Sequence, residues 1–230
     1  MRLTPRLQAI ANQIPAGSIV ADIGSDHAYI PVYLLSNHLT TRVIASDSRP
    51  GPLQAACENL KLFNVDKMAE LRLGDGLEVL NEADQVDVIV IAGMGGETTI
   101  SILDKGRGRL KLETRLVLQP MTSIGLVRTW LVENGFIILE EDIAQEGENY
   151  YEIIVAQFLN ARAEPQRQVA FGPRLIANKH PLLKPMLEQQ LGRIRRAISS
   201  ATQADSKAAS DRVLELQARA EDLEEVLSWL

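Results

Sequence analysis

A chain of 230 residues is long enough for one good-sized domain and an appendage, and 46% hydrophobic with 23% charged residues is the balance of a folded globular protein. No apolar run approaches the ~20 residues that span a bilayer, no signal-peptide core follows Arg2 and Arg6, and the single Cys57 excludes an internal disulfide, which together predict a cytoplasmic protein. A net charge of −6 argues against wholesale attraction to nucleic acid, and three widely scattered histidines with one cysteine give no metal-site spacing.

The first element is a helix over Thr4–Ile14, with Leu7, Ile10, Ala11 and Ile14 on one face and Thr4-Pro5 as its start. It is expected to pack on a sheet or close over a ligand. Strand-like and helix-like segments then alternate to about residue 158. The strands are Ser18–Ile23, Arg42–Ser46, Ala69–Leu73, Val86–Ile91, Arg115–Leu118, Phe136–Ile143 and Tyr150–Phe158. Between them the sequence predicts helices over Pro31–Leu39, Pro50–Phe63, Gly96–Leu103 and Ile124–Glu133, with a shorter one over Gly76–Leu80. Strands separated by helices imply right-handed crossovers and a mostly parallel α/β sheet. Only Ala144–Asn149 separates the last two strands, so they form an antiparallel hairpin. Seven strands ending in such a pair outline the Rossmann-like class I methyltransferase fold.

Beyond Leu159 the composition changes. Residues 160–181 carry Pro165, Gly172, Pro173 and Pro181 and read as a connector. Two heptad-like runs follow: Leu187, Leu191, Ile194, Ile198, Ala201, then Ala209, Val213, Leu216, Ala220, Leu223, Leu227, Leu230. With Asp205-Ser206-Lys207 as a turn, they predict an antiparallel coiled-coil hairpin. The expected division is therefore 1–159 and 160–230. Between Arg162 and Arg196 lie eight Lys or Arg against two acids, a local basic face in an acidic protein.

Four polar clusters end successive strands, the edge where open α/β sheets bind ligands. They are Asp22-Ile23-Gly24-Ser25-Asp26, Asp47-Ser48, Gly74-Asp75-Gly76 and Ala92-Gly93-Met94-Gly95-Gly96. An acid closing the second strand suits a ribose diol, and an acid between glycines suits an adenine amino group. The ligand is thus expected to contain adenosine. The first turn lacks the G-x-G-x-x-G of dinucleotide sites, having no second glycine (position 26 is Asp and 28 is Ala), and no phosphate loop occurs. A pyrophosphate would be repelled by Asp22 and Asp26, whereas the sulfonium and ammonium of S-adenosylmethionine would be favoured.

The segments Ala-Asp-Ile-Gly-Ser-Asp-His-Ala-Tyr (21–29), Ala-Gly-Met-Gly-Gly (92–96), Leu-Gln-Pro-Met (118–121) and Glu-Asn-Tyr-Tyr-Glu (148–152) closely resemble the bacterial tRNA adenine-N1 methyltransferases that modify position 22, the TrmK family. The resemblance spans the chain. It implies a class I fold, S-adenosylmethionine as donor and one tRNA adenine as acceptor. It places Asp22, Gly24, Ser25, Asp26, His27, Asp47, Ser48, Asp75, Gly76, Ala92, Gly93, Met94 and Gly95 in the cofactor pocket. Amino-methylating relatives carry Asn/Asp-Pro-Pro-aromatic where this chain has Ala92-Gly93-Met94-Gly95, a departure compatible with attack by a ring nitrogen that needs alignment above all. Asp26 is the first candidate for a general base, Tyr29 for stacking or hydrogen bonding to the base, and His27 for either role. The basic segment and the hairpin are then expected to hold tRNA, by a monomer or weak dimer. Other acceptors, whether another RNA base or a small molecule, and a non-catalytic cofactor-binding role stay open at this level.

Overall fold

A computed structural model describes residues 1–159, 167–202 and 207–230. Seven strands form one sheet: β1 (Ile19–Ile23), β2 (Arg42–Asp47), β3 (Ala69–Leu73), β4 (Val88–Met94), β5 (Arg115–Pro120), β6 (Phe136–Glu146) and β7 (Asn149–Phe158), in the order β3-β2-β1-β4-β5-β7-β6. The first five are parallel, and β7 runs antiparallel between β5 and β6. Strand order reverses at β1, flanked by β2 and β4, so a crevice opens at the carboxyl ends of those strands. Such central strands are apolar on both faces because helices cover both. Val20, Val43, Val88 and Val90 join one buried cluster, and Ala21, Ile23, Ile89 and Ile91 the other. Helices α1 (Pro5–Asn12), α2 (Tyr29–Ser36), α3 (Pro50–Leu62), α4 (Gly96–Lys105) and α5 (Ile124–Glu133) lie between or before the strands. Among the described residues no helix is long and apolar enough to cross a membrane.

Three departures from the expected elements have physical causes. β4 continues through Ala92-Gly93-Met94 as an irregular strand, because Met94 still pairs with Pro120 and its carbonyl accepts the Met121 N–H at 2.7 Å. The β6–β7 hairpin is longer than expected, with pairing up to Glu146↔Asn149, so that Gly147 and Glu148 alone make the turn and Gly147 takes φ +58°. α2 begins at Tyr29, earlier than expected, since Ala28 at φ +55° already turns the chain into the helix.

The chain divides into two compact units, Met1–Arg174 and Leu175–Leu230. The last stretch of the first unit is fastened by Arg128 on α5, which is 1% exposed. Its Nε donates to Glu141 at 2.6 Å, Nη2 to Glu152 at 2.7 Å and Nη1 to the Ala170 carbonyl at 3.2 Å. Glu141 also accepts the Arg174 N–H at 2.8 Å. Burial alone would lower the Arg128 pKa, but the two carboxylates outweigh it and keep the guanidinium charged. Gly125 allows the same close approach, since a Cβ there would lie 3.0 Å from the Ala170 carbonyl oxygen.

In the second unit α7 (Leu183–Ala201) and α8 (Lys207–Ser228), which follow the short α6 (Pro173–Ala177), pack together, with Arg195 and Glu224 paired at 2.8 Å. Leu183, Met186, Leu187, Leu191 and Ile194 of α7 are buried, as are Leu216, Ala220, Leu223 and Val226 of α8. The expected Leu227 is only half-buried while Val226 is buried, as a straight helix of 3.6 residues per turn drifts from a strict heptad. Most of the expected turn, Asp205-Ser206, and the 160–166 part of the expected connector lie outside the described residues.

Candidate active site

A cavity of about 650 Å³ opens at the crevice, within the size range of small-molecule sites. Its walls include the expected residues Asp22, Gly24, Ser25, Asp26, His27, Tyr29, Asp47, Ser48, Asp75, Gly76, Ala92, Gly93 and Met94. Gly95, also expected there, does not line the cavity and serves instead as the N-cap of α4.

The loop after β1 is anchored to β2: the Gly24 and Ser25 amides both donate to the Ser46 carbonyl at 2.8 Å. Gly24 has φ +74°, and a Cβ there would sit 2.0 Å from Met94 Cε. The glycine therefore serves both a left-handed turn and the close approach of the Met94 side chain from the end of β4. Asp26 at φ +50° and Ala28 at φ +55° hold the same uncommon conformation, backbone strain of the kind that collects at ligand sites.

Asp22, 5% exposed, accepts a hydrogen bond from Ser25 Oγ at 2.5 Å. Burial raises its pKa to about 6, and the Ser25 bond only partly offsets this. A buried carboxylate facing a cavity in that state is a receptor for a cation. Asp47, also buried, accepts the Arg49 N–H at 2.9 Å, which orients its carboxylate at the rim. Asp75 is exposed at the start of the 3₁₀ turn Gly76–Val79.

Asp26, His27 and Tyr29 form the outer wall. His27 Nε2 lies 3.8 Å from Asp26 Oδ2, and both side chains are about half exposed, at 47% and 60%. The His27 and Tyr29 rings stack 5.4 Å apart at 19°. The Asn59 amide donates to the His27 carbonyl at 2.8 Å and holds this ledge on α3.

Several walls were not foreseen as site residues. α1 both packs and closes over the cavity: Ile10 and Ala11 are buried, while Thr4, Arg6 and Leu7 line it. The Arg6 guanidinium donates to Gln119 Oε1 at 2.8 Å and lies over the Tyr151 ring at 5.5 Å, so a neutral amide and a ring face hold it. Its backbone N–H donates to Glu146 Oε1 at 2.7 Å, and Glu146 lines the cavity too. One end of the cavity therefore presents a cation beside a carboxylate, the complement of an amino-acid zwitterion. Arg6 carried only one sequence signal, its place in a helix expected to close over a ligand. Among the described residues no group of His, Cys, Asp or Glu is arranged to hold a metal ion.

This cavity lies in a region shared with known proteins. The family described as "Methyltransferase domain" matches residues 3–154. The tRNA (adenine(22)-N(1))-methyltransferase of Bacillus subtilis is 33% identical, over 99% of this chain and 98% of its own. Among solved structures, B. subtilis TrmK, an M1A22 tRNA methyltransferase, superposes with a TM-score of 0.85 at 33% identity, covering 98% and 99% of the two chains. A Streptococcus pneumoniae protein in complex with S-adenosyl-L-methionine gives 0.83 at 32% identity, covering 98% and 100%. The chain belongs to the methyltransferase-domain family and, within it, to the TrmK family.

Proposed function

We propose that this protein transfers a methyl group from S-adenosyl-L-methionine to N1 of adenine 22 in tRNA, acting in the cytoplasm as a monomer or weak dimer. The observation that carries the cofactor is the charge pattern of the cavity. Buried Asp22 faces it, Asp47 and Asp75 stand at two further strand ends, and Arg6 and Glu146 close the α1 end, with no phosphate cradle among them. In this reading Asp22 and Glu146 answer the ammonium, Arg6 the carboxylate, Asp47 the ribose hydroxyls and Asp75 the adenine amino group. Gly24, Gly93 and Met94 shape the wall about the sulfur. Replacing Asp47 with Ala should weaken cofactor binding about 10- to 100-fold, the worth of hydrogen bonds to a charged acceptor, and calorimetry would read it. An unchanged affinity would move the ribose elsewhere.

The cofactor, when bound, supplies an electrophilic methyl group on a sulfonium. The chain's task is then alignment: adenine N1 already has an in-plane lone pair and needs placing in line with that methyl. The Ala92-Gly93-Met94-Gly95 loop offers no side-chain acceptor for an exocyclic amino group, which favours a ring nitrogen as the acceptor atom. Methylation at N1 acidifies N6–H. In this reading Asp26, or His27 beside it at 3.8 Å, takes that proton, and the Tyr29 ring stacks on or hydrogen-bonds to the base.

N1 is hidden in paired RNA, so exposing the base costs a few kcal/mol that contacts along the RNA backbone must offset. The helical second unit is assigned to this task. Of the basic stretch, Arg174 is committed to the first unit, its Nε donating to the Ile138 carbonyl at 2.9 Å. Arg195 pairs with Glu224. Lys184, Arg193 and Arg196 on α7 are exposed, with Glu188 the one acid of that helix, whereas α8 carries Asp211, Glu215, Glu221, Asp222, Glu224 and Glu225 against Lys207, Arg212 and Arg219. The RNA-facing helix is thus α7. Changing Lys184, Arg193 and Arg196 together to Glu should lower kcat/KM for tRNA by about 100-fold or more, flatten its salt dependence and leave cofactor affinity unchanged. A variant as active as wild type would remove α7 from the RNA path.

The overall activity is tested by incubating the protein with an unmodified tRNA pool and labelled donor, then digesting to nucleosides. The expected product is 1-methyladenosine. Label in another nucleoside would replace the acceptor, and no label in any RNA would leave a cofactor-binding protein without this activity.

A further inference from the structure

A second cavity, of about 340 Å³, adjoins the first and lies between the 3₁₀ turn Gly76–Val79 and α4. The two cavities share Asp75, Gly76, Thr98 and Ile102 in their walls, so the adenine end of the donor pocket runs into the second. The space has a sequence origin. Thr98, Ser101, Ile102 and Lys105 lie at i, i+3, i+4 and i+7, one face of α4 turned toward Leu77 and Glu78. Short side chains at 98 and 101 leave a gap there that a longer residue would fill.

The floor is apolar and fixed. Leu77 is 1% exposed and Ile102 is 8% exposed. A Cβ on Gly106 would lie 2.4 Å from Leu77, and one on Gly76 3.1 Å from Ile102. Turn and helix are therefore locked together by close packing at both ends of the groove. The volume belongs to the resting fold, and nothing has to open to expose it.

We infer that this groove is an annex of the donor pocket that accepts adenosyl ligands carrying an alkyl or aryl substituent on the adenine N6, so that the protein binds N6-extended analogues of S-adenosylmethionine and S-adenosylhomocysteine. The inference rests on the reading of Asp75 as the partner of the adenine amino group. A single substituent leaves one N6–H for that carboxylate and directs the new group past Gly76, over Leu77 and Ile102. An N6,N6-dialkyl analogue has no N–H left and loses the Asp75 contact.

The test is calorimetry on the full chain with S-adenosylhomocysteine, its N6-benzyl and N6,N6-dimethyl analogues, and the Ser101→Trp variant, whose indole would occupy the groove. The benzyl analogue should bind wild type within about fivefold of the parent, and the dimethyl analogue about tenfold or more weaker, a factor of ten being about 1.4 kcal/mol. In Ser101→Trp the parent should keep its affinity within about threefold while the benzyl analogue falls about 30-fold, because the filled groove rejects only the extension. A loss of about 100-fold or more for the benzyl analogue on wild type, with the parent bound normally, overturns the groove alone. An equal drop of both ligands in Ser101→Trp overturns it too. Failure of the parent to bind wild type overturns the cofactor assignment and the groove with it.

Discussion

Replacing Arg128 with Met is expected to remove about 3–5 kcal/mol of folding stability, the usual result of leaving buried charge without its partner. Glu141 and Glu152 are both buried and both depend on this guanidinium. The methionine would fill much of the volume, so the loss is electrostatic more than steric. The urea midpoint should fall sharply with little change in m. Adding Glu141→Gln and Glu152→Gln should recover part of the loss at neutral pH. A variant within about 1 kcal/mol of wild type would show that the triad contributes little and that Arg167–Arg174 is held by other contacts.

Asp22→Asn should separate binding from stability. The folded-state pKa of about 6 lies above the ordinary aspartate value of 3.8, so the fold favours the protonated acid. Whatever stability that proton gives is fully present below about pH 4 and is lost as pH rises through 6. Above pH 6 the buried charge costs the ligand-free protein on the order of 2–3 kcal/mol, and the neutral amide should return much of it. Binding should change in the opposite direction. The ligand's ammonium favours the carboxylate, so wild-type affinity for S-adenosylhomocysteine should climb as pH rises through about 6. The Asp22→Asn variant should lose most of that dependence and about 10- to 100-fold of the affinity at about pH 8, the worth of a hydrogen bond to a charged group. Parallel pH curves for the two proteins would show that Asp22 does not meet the ligand's charge.

Much of the molecule was legible because its signals are local. β3 and α5 lie where their apolar patterns placed them, and the Asp22, Asp47 and Asp75 clusters fall at one sheet edge because strand ends are readable and parallel order follows from the crossovers. What escaped the sequence depends on residues far apart in it. Arg6 meets Gln119 across 113 positions and Glu146 across 140, so no spacing announces the α1 end of the cavity. Arg128 sits in an ordinary Leu-Val-Arg-Thr-Trp-Leu stretch, and only the β6–β7 hairpin and the Ala170 segment make it a buried hub. The irregular end of β4 was missed for the opposite reason: Gly93 and Gly95 read as loop, yet backbone pairing to Pro120 and Met121 outlasts the apolar run.

The most direct test of the central claim uses one tRNA that has A22 and the same tRNA with A22 changed to G. Each is incubated with the full chain and S-adenosylmethionine and then reverse-transcribed. A methyl on N1 blocks Watson–Crick pairing, so the proposed function predicts a donor-dependent stop adjoining position 22 in the first RNA and none in the second. A stop of equal strength in both, or one at another adenine, would contradict it.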